Sequence, residues 1–130
     1  MAVDWLPTIV ATALAFLLGG IWYGPLFGKA WMAEHDLTSE RIKAEFSPAK
    51  TYGATFALAL LSAVVLGVVL GPDARPLAGL GAGLTVGICW VAASIGTNYL
   101  FSGNSMRLFL IDGGYHTVKF ALMGLAFGLF

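Results

Sequence analysis

The sequence predicts an all-α integral membrane protein: four transmembrane helices with a short amphipathic helix in the first loop. Three observations lead there. Hydrophobic residues make up 58% of the 130-residue chain and charged residues only 11%, against roughly 25% charged in soluble domains. Four stretches reach the length of about 20 apolar residues that a bilayer requires. None shows strand-like alternation, and backbone groups in hydrocarbon find their partners within a helix.

The length suits a single domain, 1–130. The first span is expected at about 5–27. A cleaved leader would open with basic residues and a short apolar core. Here the first Lys or Arg is Lys29, beyond a long apolar run, so this segment is read as a retained span. The second span, 48–70, begins after Ser47, a good N-cap, with Pro48 where its missing N–H is no loss. Gly71-Pro72 ends it. The short turn "GPDARP" makes the third span, 76–101, an antiparallel neighbour. The turn "SGNS" leads into the fourth, 105–130, capped by Asn104 or Ser105.

The polar loop, 29–47, contains "LTSERIKAEF". Thr38 is placed to cap a short helix there, with Leu37 stapled onto Ile42. Ile42 and Phe46 share one face, while Glu40, Arg41, Lys43 and Glu45 form a solvated one. Lys29, Arg41, Lys43, Lys50 and Arg107 gather on the side of the first and third loops, and Arg75 alone lies opposite. By the positive-inside rule the loop is cytoplasmic and both termini are outside the cytoplasm.

The fourth span carries the unusual chemistry. In "LFLIDGGYHTVKFALMGLAFGLF", Asp112, His116 and Lys119 fall on one helical stripe, bordered by Tyr115. Gly113, Thr117, Ala121, Gly124 and Gly128 form a smooth stripe beside it, suited to close helix packing. Asp112 lies roughly 10 Å from the helix start at 1.5 Å per residue, which puts His116 and Lys119 near mid-bilayer. A charge there costs about 2.5–3.5 kcal/mol on insertion scales. The stripe is therefore expected to face protein, water or a subunit interface, with Asp112 accepting a hydrogen bond from His116. A buried network that only sets helix register is the competing reading.

Asp112 and His116 also have the spacing of two metal ligands, but His35 is the sole other histidine, and zinc needs three or four ligands. No metal or cofactor is expected. No Ser-His-Asp set, phosphate-binding glycine loop or Cys-x-x-Cys motif occurs, so no catalytic residue is assigned. Net charge is zero, which gives no footprint for nucleic acid. Cys89 lies in an apolar run and reads as a small hydrophobe.

The end of the first span, "GGIWYGPLFGKAWM", repeats Gly20, Gly24 and Gly28 at four-residue steps, a flat stripe for another helix. Pro25 is expected to kink or end the helix near Tyr23. Trp22, Tyr23 and Trp31 fit an interfacial aromatic belt. Because the first and fourth helices run antiparallel, Tyr23 and Asp112 are expected at similar depth. From the third span, Asn98 is the expected partner of Asp112 or Tyr115, and Gly79, Gly83 and Gly87 form a third smooth stripe. Together Tyr23, Asn98, Asp112, Tyr115, His116 and Lys119 define the expected polar site for a small polar solute or ion.

Two of these stretches, "WYGPLFGKAWM" and the C-terminal segment with Gly-Tyr-His, resemble the bacterial family catalogued as domain of unknown function 1761. The resemblance covers essentially the whole chain and implies a small four-span protein of the bacterial inner membrane, with no established activity. The chain departs from the commoner family pattern at Gly24, where serine is frequent, and at Asp112, where asparagine is frequent. That moves weight from the acid to Tyr115 and His116. In size the chain is also similar to the small multidrug-resistance exporters, but those centre on a membrane glutamate, and no glutamate lies in any span here.

Four helices leave little room for a private transport path, and three glycine stripes exceed what one bundle needs. The expected assembly in the lipid bilayer is a homo-oligomer, a dimer ahead of a trimer or tetramer. The expected function is a small transporter or channel, linked to protons or anions. The alternative is a non-transporting accessory or assembly protein whose polar stripe fixes packing or binds a partner helix.

Overall fold

The computed structural model describes residues 2–130, and among these there is no strand. The helices are α1 (Trp5–Ile21), α2 (Gly28–Glu34), α3 (Ser39–Glu45), α4 (Pro48–Leu70), α5 (Pro76–Thr85), α6 (Ala93–Ser102) and α7 (Met106–Leu129). A π-helical turn, Trp22–Leu26, extends α1, and a π-helical segment, Val86–Ala92, joins α5 to α6 in one rod.

Three rods, Trp5–Leu26, Pro48–Leu70 and Pro76–Ser102, are long and apolar enough to cross a membrane. Their outward residues are what a lipid-facing surface needs: Leu77 is 80% exposed and Val69 75%, in a continuous apolar exterior that water would not tolerate. The fourth expected span, α7, is not among these three rods. α7 has 24 residues, ample length for a bilayer, but Asp112, Tyr115, His116 and Lys119 interrupt its middle and keep it below the apolar content of the other three. It compensates by burial in protein: its buried positions run from Leu108 to Phe127. α7 is the central element, in contact with α1, α4, α5, α6 and the second π segment.

The ends follow the local chemistry. Thr38 Oγ1 accepts from the Arg41 N–H at 3.2 Å and starts α3. Ser105 Oγ accepts from the Leu108 N–H at 3.0 Å and starts α7, so the cap is Ser105 and not Asn104. Ser47 occupies the cap position of α4 with Pro48 next to it, but its side chain makes no capping bond. Gly71 ends α4 at φ 80°, and Gly103 ends α6 at φ 71°, left-handed geometry that glycine adopts without penalty.

The core where α1, α4 and α7 meet is built on small residues. Ala11 and Ala15 of α1 and Ala59 and Ala63 of α4 pack with Met123, Ala126 and Phe127 of α7. The α5–α7 contact is closer still. A Cβ added at Gly79 would lie 2.0 Å from the Gly124 carbonyl oxygen, and one at Gly83 would lie 2.0 Å from the Phe120 oxygen. Only glycine permits this backbone approach, which maximises dispersion contact where no hydrophobic drive exists. Two of the three smooth stripes, Gly79-Gly83-Gly87 and Gly124-Gly128, are thus consumed inside the chain.

The π segment is needed to keep these rods in register. Gly87 packs on the Thr117 backbone, and farther along Ala92 faces Gly113. Five residues of the α5–α6 rod therefore accompany four of α7. A π segment absorbs one extra residue without breaking the helix, so Val86–Ala92 takes up the mismatch.

Candidate functional site

Pro25 has no N–H to continue α1. The chain responds with a wider turn: the Phe27 N–H donates to the Trp22 carbonyl at 2.8 Å, and α2 begins in a new direction. From this turn two side chains reach α7. Trp22 Nε1 donates to the Ile111 carbonyl at 2.9 Å. Tyr23 Oη donates to Asp112 Oδ1 at 2.6 Å, so the two residues expected at similar depth do meet.

Asp112 is buried, 8% exposed. Its second oxygen, Oδ2, accepts from Tyr99 Oη of α6. One carboxylate is thereby clasped by phenols from two helices, and charge-assisted bonds of this kind are roughly twice as strong as neutral ones. The expected partner Asn98 is exposed and lies outside the clasp. The reason is helical phase. Gly96 packs on Phe109 of α7; Tyr99, three residues on, shares that face, whereas Asn98, two residues on, is turned away. The face that Gly96 turns to α7 is set by this packing, so the sequence carried no signal for choosing Tyr99 over the more polar Asn98.

His116 does not bond to Asp112, whose two oxygens serve the tyrosines. Its buried Nδ1 has no hydrogen-bond partner among the described residues. Lys119 is 9% exposed. Among the described residues the sole ion pair is exposed, Arg41 to Glu45 at 3.4 Å, so no carboxylate balances Lys119. Its Nζ lies 4.7 Å from the ring centroid of Phe120 and 5.5 Å from that of Tyr115, the reach of cation–π attraction.

Tyr115 links the two halves of the site. Its hydroxyl donates to the Ala15 carbonyl at 3.3 Å. Its ring sits edge-on to Tyr23 at 5.2 Å and to His116 at 5.0 Å. The stripe thus divides into a satisfied part, Tyr23–Asp112–Tyr99, and an unsatisfied part, His116 and Lys119, with Tyr115 between them.

A cavity of about 1000 Å³ opens between α1 and the start of α4, with Tyr23 and Tyr115 in its wall and Ile42 and Phe46 of the amphipathic segment at its edge. A second, of about 380 Å³, lies at the opposite end, beside Pro7, Gly67 and Phe127. Asp112, His116, Lys119 and Asn98 line neither one. No three of His, Cys, Asp and Glu converge on a metal position among the described residues.

Residues 6–128, nearly the whole chain, match the family model described as a protein of unknown function (DUF1761). The chain belongs to that family. No curated protein and no solved structure matches it. The two stretches that carry the family resemblance, around Tyr23 and around Asp112, are the ones that the Tyr23–Asp112 hydrogen bond joins.

Proposed function

We propose that this member of the family is a small inner-membrane transporter or channel, in which α7 is the fourth crossing helix and holds a polar intramembrane site for a proton or a small anion. One observation carries the reading: the buried Nδ1 of His116 has no hydrogen-bond partner among the described residues, and Lys119, three residues on along the same helix, has no acidic one. A register-fixing network would satisfy its own members, because an unpaired buried charge is strongly destabilising. Intramembrane ionisable groups left incomplete in this way point to a passing ion or solute.

In this reading His116 exchanges the proton and Lys119 draws the anion. Asp112 positions helices through its two tyrosines and does not hold the imidazole. The protein carries no catalytic residue. It works as a homo-oligomer, a dimer ahead of a trimer or tetramer, with loop 29–47 in the cytoplasm. The test is proton and chloride flux into liposomes for the wild type, His116→Ala and Lys119→Met. Flux lost in both variants, with the fold intact, supports the reading; flux equal to that of empty liposomes for the wild type removes it.

A second reading, a non-transporting assembly protein, has its own support. A Cβ at Gly20 or Gly24 would touch nothing within 4 Å, so this part of the first glycine stripe is open to a partner. Native mass measurements in mild detergent decide between self-association and capture of a different membrane protein.

A further inference from the structure

We infer that the cavity between α1 and α4 is a binding site for a planar, uncharged ring compound bearing carbonyl oxygens, the chemistry of a quinone headgroup. This proposal concerns binding alone and stands whether or not the chain transports an ion.

The cavity, about 1000 Å³, is the size that small-molecule sites reach. Its walls are unusually aromatic: Phe16, Tyr23, Trp31, Phe46, Tyr52 and Tyr115 all contribute. Several of these rings brace one another. Phe16 and Phe46 meet Tyr52 edge-on at 6.0 and 5.5 Å, and Tyr23 meets Trp31 edge-on at 6.1 Å. Such rings present fixed flat faces, on which another ring stacks with little loss of side-chain freedom.

The polar groups narrow the ligand further. No charged residue lines the cavity. An ionic ligand would lose its hydration with no counter-charge in return, a heavy penalty. The polar side chains among the lining residues are donors, the hydroxyls of Thr51, Tyr52 and Thr55 and the Trp31 indole N–H, besides Tyr23 and Tyr115. These donors suit carbonyl acceptors. A lipid tail offers them nothing, and it loses rotamer freedom on being held. Tyr23 and Tyr115 are occupied elsewhere, with Asp112 and the Ala15 carbonyl, so they supply ring surface and a fixed back wall.

The glycines account for the space itself. Gly20 and Gly24 line the cavity, and a Cβ at either would meet no atom within 4 Å. Larger residues there fill the cavity without disturbing the packing. Gly81, on the α5–α6 rod, is equally open but lies outside the cavity and serves as a control.

The experiment measures calorimetric binding of menadione to the full chain in lipid nanodiscs, corrected for empty discs. Saturable binding by the wild type is expected. Gly20→Leu and Gly24→Leu should weaken it at least tenfold with unchanged melting temperature, while Gly81→Leu should leave it unchanged. Thr51→Val combined with Thr55→Val should weaken it about three- to tenfold, the range of one or two modest hydrogen bonds. No saturable binding by the wild type overturns the proposal. So does equal binding by the Gly20→Leu and Gly81→Leu proteins. Tighter saturable binding of decanol or of tetraphenylphosphonium than of menadione also overturns it, since the site would then take an acyl chain or a lipophilic cation.

Discussion

Tyr23 Oη donates to Asp112 Oδ1 at 2.6 Å across 89 residues of sequence. The bond fastens the π turn that follows α1 to the first third of α7, and Tyr99 fastens α6 to the same carboxylate. Three helices therefore share one acceptor. Removing any member leaves the others underbonded in a medium with no water to replace it.

Tyr23→Phe and Tyr99→Phe are each expected to lower unfolding stability by about 1–2 kcal/mol, between the range for bonds to charged groups in water and the smaller values inside membranes. Asp112→Asn removes the charge, and one phenol must then accept from the amide NH2 instead of donating to a carboxylate oxygen. Tyr99→Phe should then cost less in the Asp112→Asn background than alone. Reversible unfolding in mixed micelles measures the cycle, and strictly additive costs would contradict a shared clasp.

Glycine replacements should divide by position. Gly83→Ala and Gly124→Ala place a methyl group within about 2 Å of a facing backbone oxygen and should cost about 2–3 kcal/mol or separate α5 from α7. Gly81→Ala meets open space and should be neutral or stabilising by about 0.5–1 kcal/mol. Melting temperatures of the three variants test this directly.

Lys119→Met should preserve the fold and raise stability by about 1–2 kcal/mol, because a largely buried side chain bearing an ammonium with no carboxylate partner gives way to an apolar one of similar length. The same variant should lose ion flux. A large fall in stability would instead assign Lys119 to the packing, through its contacts with Phe120 and Tyr115.

An even number of crossings puts both ends of the chain on one side. In a Cys89→Ser background, Ala2→Cys and a cysteine appended after Phe130 should both react with an impermeant maleimide from outside intact cells. Ser39→Cys, in α3, should react only after permeabilisation. Labelling of the two ends from opposite sides would mean that α7 does not cross.

Several features were legible in the sequence because their causes lie within four residues. Thr38, Pro48, Gly71 and Ser105 mark helix ends through local donors, acceptors and permitted backbone angles. Pro25 signals a break because it lacks an N–H. The pairing of Tyr23 with Asp112 was also readable, since antiparallel helices of known length put those positions at one depth.

What the tertiary structure alone decided is which neighbour on each helix meets which. Tyr99 displaced Asn98 because the close contact of Gly96 with Phe109 sets the rotation of α6. His116 and Lys119 were left without partners because both oxygens of Asp112 went to phenols brought in by other helices. The one-residue mismatch between α7 and its neighbour, absorbed at Val86–Ala92, exists only once the two helices touch. Composition and spacing reveal that a helix has a polar face. The direction of that face, and what answers it, follow from how closely the backbones approach, and that distance belongs to the whole bundle.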